Sequence, residues 1–185
     1  MRLSLLVLGL CLWTLAPAQA QEAAPEPPPV AAPADVASPD AIIAAVYESI
    51  SGPLGAPRDW DRFRSLFIPE ARLIPTAQPG DGGPMQAIVF SPEGYAEQAT
   101  PYFEANGFYE VELHRTSEQY GPLLHAFSTY ASYATAEAMA ADQPFARGIN
   151  SFQLLDDGTR WWIVSIYWHQ ETPAAPIPEV YLGGS

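Results

Sequence analysis

The chain has 185 residues, 48% hydrophobic and 12% aromatic, which suits one packed domain with processed or flexible ends. Its 21 acidic and 8 basic residues give a formal net charge of −13, and every basic residue is an arginine. That field repels phosphate backbones and anionic lipid, so nucleic acid is disfavoured as a partner.

Met1 to Ala20 reads as a secretory signal peptide, with Arg2 as the positive start, Leu3 to Leu15 as the apolar stretch and Ala18-Gln19-Ala20 before the cleavage point. The expected location is periplasmic or secreted, with no stable membrane insertion after cleavage because the apolar run is short for a span. Cys11, the one cysteine, falls inside this segment behind Leu10, where a lipoprotein signal would want a small residue. The mature chain would then have neither disulfide nor thiol nucleophile. Residues 21–37 are rich in Ala and Pro and read as a mobile tether, and residues 172–185 repeat that character as a flexible tail.

Between them, residues 38–171 carry the pattern of one domain. Ser38-Pro39 is a helix start, and Ile42, Ile43, Val46, Tyr47 and Ile50 recur at helical spacing until Gly52-Pro53. Asp59 caps a short second helix with Trp60, Phe63, Leu66 and Phe67 on one face. Ala71 to Ile74 and Gln86 to Phe90 are short strand candidates. Ser91-Pro92-Glu93 opens a third helix, where Pro101 predicts a kink or two successive helices. From Phe108 the period becomes that of strands: Phe108 to Ser117 and Leu123 to Tyr133 flank the turn Tyr120-Gly121-Pro122. Ala134 to Gln143 is a loop or a single helical turn. The expected class is α+β, a strongly bent antiparallel sheet wrapped around about three N-terminal helices.

The last hairpin, Ala146 to Glu171, turns at Asp157-Gly158. A two-residue turn pairs Leu154 with Trp161, Phe152 with Ile163, Asn150 with Ser165 and Gly148 with Tyr167. One face is then apolar near the turn and polar at Asn150, Ser165, Tyr167 and His169, as a cavity lining would be. The other face carries Trp162 and Trp168 and offers a surface for a homodimer.

The opening helix with Tyr47, the run Asp59 to Phe67, Pro69-Glu70-Ala71-Arg72-Leu73 and the final Asp157-Gly158-Thr159-Arg160-Trp161-Trp162-Ile163-Val164 together resemble the nuclear transport factor 2-like superfamily, which includes SnoaL-like cyclases and ketosteroid isomerases. The resemblance spans roughly residues 38–170. It implies a cone-shaped sheet with a pocket at its open end, often in a dimer. It also implies a match for the isomerase tyrosine at Tyr47, whereas Pro75 stands where those enzymes keep their aspartate base. Such folds host isomerases, binding modules and assembly domains alike.

His169 is the candidate acid or base among three imidazoles, and Tyr47 is a candidate hydrogen-bond donor. Asn150, Ser165, Tyr167 and Tyr130 are candidate ligand contacts. His114, His125 and His169 lack a metal-ligand spacing, and no phosphate-binding glycine loop occurs, so neither metal nor cofactor is expected. No nucleophile-elbow glycines flank Ser128. The leading expectation is an exported domain binding a small apolar or aromatic molecule. The alternatives are a cofactor-free isomerase, lyase or cyclase, and a dimerising envelope interaction domain.

Overall fold

The computed structural model describes residues 29–80 and 82–184. The expected signal peptide, with Cys11, lies outside the described residues.

Helix α1 (Pro39–Ile50) starts where Ser38 Oγ accepts the Ala41 N–H at 3.1 Å, with Pro39 preset for the first turn. Its stripe is buried throughout, Ile42 and Ile43 completely. The helix ends at Ser51, and its terminus is closed by an unusual cap. Buried Arg58 donates Nε to Ile50 O at 2.8 Å, Nη2 to Gly52 O at 2.8 Å and Nη1 to Ala56 O at 2.7 Å. One planar fork thus caps the last helical carbonyl, Ile50 O, and ties it to Ala56 O and to Gly52 O, which also accepts from Phe108 N–H.

Helix α2 (Trp60–Ser65), capped by Asp59, feeds directly into strand β1 (Phe67–Ala77). A two-residue strand β2 (Gln86–Ala87) pairs with the end of β1. Helix α3 (Pro92–Asn106) runs as one helix through Pro101, not two: the proline is exposed, and Gly107 ends the helix with positive φ. Strands β3 (Tyr109–Tyr120) and β4 (Leu123–Tyr133), short helix α4 (Ala136–Ala140), and strands β5 (Ala146–Asp156) and β6 (Trp161–Gln170) follow.

The six strands form one curved, unclosed sheet in the order β2-β1-β6-β5-β4-β3. The sheet is mixed, not antiparallel throughout, because β1 runs parallel to β6. These two strands are joined by most of the domain, so no hairpin fixes their relative direction. Helix α1 lies along the concave face against β3 and β6. Phe63, Phe67, Phe152, Leu154 and Ile163 fill the core at the hairpin end of that face.

The last hairpin departs from the expected register in two steps. Asp157 Oδ1 accepts the N–H groups of Thr159 and Arg160 at 2.8 and 2.9 Å, and Asp157 N–H donates to Arg160 O. This side chain builds a four-residue loop, so pairing begins with Asp156 opposite Trp161. Leu154 then meets Ile163, but Gln153 meets Ser165, leaving Val164 as a bulge. The longer loop alone preserves the faces; the bulge exchanges them. Ile166 and Trp168 therefore turn inward beside Phe152 and Asn150. Ser165, Tyr167 and His169 turn to the outer face, opposite Gln153, Ser151 and Ile149. Trp162 lies outside under Arg160, 3.6 Å from its ring centre, so Trp162 and Trp168 share no face and form no common dimer patch.

Both ends pack more closely than their composition suggests. Ala31 and Val36 are buried, and Asp35 pairs with Arg62 at 2.8 Å. The C-terminal segment folds back over the outer face. There the Tyr181 ring meets Phe127 at 5.5 Å, and Thr129 Oγ1 donates to Tyr181 O at 2.5 Å. An apolar contact plus a carbonyl bonded to a buried hydroxyl is enough to hold a proline-rich strap in place.

Candidate functional site

At the open end of the concave face the core gives way to a cavity of about 200 Å³. Its walls come from α1, α2, α3 and strands β1 and β3 to β6, and they are mainly apolar: Ile50, Leu73, Phe103, Phe108, Phe152 and Trp168. A few polar groups converge in it, which is the composition of a small-molecule site.

Glu110 is the one carboxylate in the wall. It stands on β3 two residues after Phe108 and opposite Ser132. Ser132 Oγ donates to Glu110 Oε2 at 2.8 Å, and Asn150 Nδ2 lies 3.5 Å from Oε1. Burial raises the carboxyl from an ordinary 4.5 to about 7, against the pull of those two donors. A carboxyl poised there can hold or release a proton near neutrality.

Beside it runs a hydrogen-bonded chain whose direction is fixed by its far end. Arg115 pairs with Glu112, so the Glu112 carboxylate accepts from Ser128 Oγ at 2.6 Å. Ser128 in turn lies 2.7 Å from Tyr47 Oη and must accept the tyrosine proton. Asn150 Nδ2 donates to Tyr47 Oη at 3.0 Å. Tyr47 thus lines the cavity while directing its hydrogen away from it. Burial and the nearby Glu110 charge push its hydroxyl well above the usual tyrosine range, so it stays neutral.

Tyr95 on α3 and Tyr130 on β4 differ from it. Both line the cavity, and neither hydroxyl has a hydrogen-bond partner among the described residues. No side-chain polar atom there is sealed off without a partner, so both hydroxyls open on cavity space. Burial and Glu110 raise their pKa values too, and they remain donors across the physiological range. Gly148 makes room for Tyr130: a Cβ there would stand 2.4 Å from Tyr130 Oη and from His169 O.

Of the residues singled out from sequence, Tyr47, Tyr130 and Asn150 come together at the cavity. Ser165, Tyr167 and His169 do not. His169 Nδ1 sits 2.6 Å from Thr76 Oγ1 on the outer face, and Tyr167 is 47% exposed. His125 and His114 also face outward, and among the described residues no group of three metal-ligating side chains converges. Glu110, Ser132, Tyr95 and Trp168 were missed as site residues. A signal existed for Glu110, since strand alternation puts it on the face of Phe108.

No family model and no curated protein matches this sequence. Solved structures do match in fold. A protein with a cystatin-like fold from Nostoc punctiforme aligns over 73% of this chain and 89% of its own at 8% identity, with a TM-score of 0.50. Another, from Caulobacter vibrioides, aligns over 74% and 89% at 12% identity with the same TM-score of 0.50. An NTF-2-like protein from Silicibacter pomeroyi aligns over 73% and 94% at 13% identity, with a TM-score of 0.48. The first two, at such identities, show the fold alone, the curved sheet around helices expected from the resemblance.

Proposed function

We propose that this domain binds a small, mainly apolar or aromatic molecule in the cavity of its concave face, with the polar end of that molecule directed at Glu110. The observation that supports this reading is an apolar cavity of about 200 Å³ whose polar groups converge on one carboxylate. An apolar cavity of about 150 Å³ suffices for benzene, so one ring with a short substituent fits. Asn150 and Tyr130 serve as contacts, and Tyr47 holds Asn150 in place. We place the domain in the periplasm or outside the cell, on the strength of the Met1 to Ala20 sequence.

A fragment screen by ligand-observed NMR tests the reading, with Ala146→Trp as the control because Ala146 lines the cavity. Small aromatic compounds are expected to bind the wild type and to lose binding in the blocked variant. Hits that persist in the blocked variant, or an absence of hits, would overturn it.

One observation favours a second reading, cofactor-free proton transfer. Glu110 has a carboxyl raised to about 7, the range suited to a general acid or base. Tyr95 and Tyr130 offer hydroxyl donors to oxygen on the same ligand. Activity would follow a carboxyl titrating near pH 7 and vanish in Glu110→Gln, while His169→Ala would leave it intact.

A further inference from the structure

We infer that the molecule bound in this cavity carries a protonated nitrogen, taken up by the Glu110 carboxylate and the surrounding aromatic rings; the inference rests on the binding reading above. An ionised carboxylate inside an apolar wall calls for a counter-charge, and the described residues supply none. Its partners, Ser132 and Asn150, are neutral. The chain has no lysine, and every arginine among the described residues is engaged elsewhere. Arg62, Arg64, Arg115 and Arg147 hold other carboxylates. Arg58, Arg72 and Arg160 bond backbone carbonyls. The contrast with Glu112 is direct: two residues along the same strand, that carboxylate has Arg115.

The rest of the wall suits a cation as well. Phe108, Tyr95 and Trp168 line the cavity, and Tyr95 meets Trp168 edge to face at 6.0 Å. Such rings offer π faces that attract ammonium groups and that also accept an aromatic ring. A chain with a net charge of −13 draws cations and repels anions at long range. Among the described residues, the titratable groups facing Glu110 leave it as the one switch. Tyr47 from α1, Tyr95 from α3 and Tyr130 from β4 are all held neutral by burial. Glu112 is paired, while Trp168 and Gln170 from β6 carry no charge. The ligand class is therefore a small arylalkylamine.

Three probes of one shape separate the charges: 2-phenylethylamine, 2-phenylethanol and phenylacetate, titrated by calorimetry at pH 5.5 and pH 8. The amine is expected to bind at least about tenfold tighter than the alcohol at pH 8, and its binding should strengthen from the lower pH to the higher as Glu110 ionises. In Glu110→Gln, amine binding should weaken by about thirtyfold or more, because the ammonium would be buried unpaired. The alcohol should change little. The wild-type pH dependence needs no variant, so it stands as a test if Glu110→Gln fails to fold. Equal affinity for alcohol and amine, or tightest binding of phenylacetate, would overturn the inference and leave the cavity reading in place. A fragment library that yields only neutral ligands would do the same. No binding by any probe or fragment would overturn both.

Discussion

Replacing Glu110 by Gln should change how stability depends on pH. The folded carboxyl titrates at about 7 and the ordinary one at 4.5, because burial disfavours the charged form. Below the ordinary value both states are protonated, and the buried carboxyl carries no penalty. Between the two values the unfolded chain releases its proton while the folded chain retains it, so stability falls as pH rises. It levels off above about 7. At about 1.4 kcal/mol per pH unit, the gap corresponds to about 3 kcal/mol. Glutamine keeps the shape and the acceptor for Ser132 but does not titrate. The stability of the variant relative to wild type should therefore rise by about 3 kcal/mol between pH 4.5 and pH 8, or about 6–12 °C in Tm. Urea unfolding of both proteins at half-unit intervals measures it, and the difference cancels the titration of the other carboxylates. A difference that stays constant within about 0.5 kcal/mol across that range would refute the reasoning.

Other consequences follow from the same packing. Arg58→Met should cost about 3 kcal/mol by leaving the carbonyls of Ile50 and Ala56 without their donor and removing one of the two donors to Gly52 O, and Arg58→Lys should recover little of it. Thermal unfolding reads both. Gly148→Ala should cost about 2–3 kcal/mol, since its Cβ would stand 2.4 Å from a backbone carbonyl and from the Tyr130 hydroxyl. An aromatic NMR spectrum should also show the Tyr130 ring displaced. Removing the chain after Pro178 uncovers Phe127 and the Thr129 hydroxyl and should cost about 1–2 kcal/mol. Amide exchange should then quicken along β4 and not in α1.

Local signals made α1 legible: Ser38, Pro39 and a five-residue stripe all say the same thing, and the helix lies where they put it. The final hairpin was legible as a hairpin but not in register. Periodicity shows that two strands alternate, yet the loop length depends on which N–H groups the Asp157 carboxylate captures. The Val164 bulge depends on how β6 lies between β1 and β5. One unread residue was enough to carry Ser165, Tyr167 and His169 to the wrong face and to hide Trp168. Glu110 was harder to read. An acid in a strand usually faces water, and only the wrap of the sheet around α1 turns its side into a cavity wall. Asn150 drew notice as a polar group on an apolar strand, and Tyr47 through the family resemblance and not through its stripe. What sequence could not show is that each bonds the other.

The central claim is that ligands enter the concave face beside Glu110 and not the outer face of the sheet. Fluorine NMR of protein labelled with 5-fluorotryptophan tests it, with resonances assigned by Trp168→Phe and Trp162→Phe. Trp168 lines the cavity and Trp162 lies on the opposite face of the same strand. Saturation with 2-phenylethylamine, or with the tightest fragment, should shift the Trp168 resonance and leave Trp162 unmoved. A shift at Trp162 with Trp168 unchanged would contradict the account.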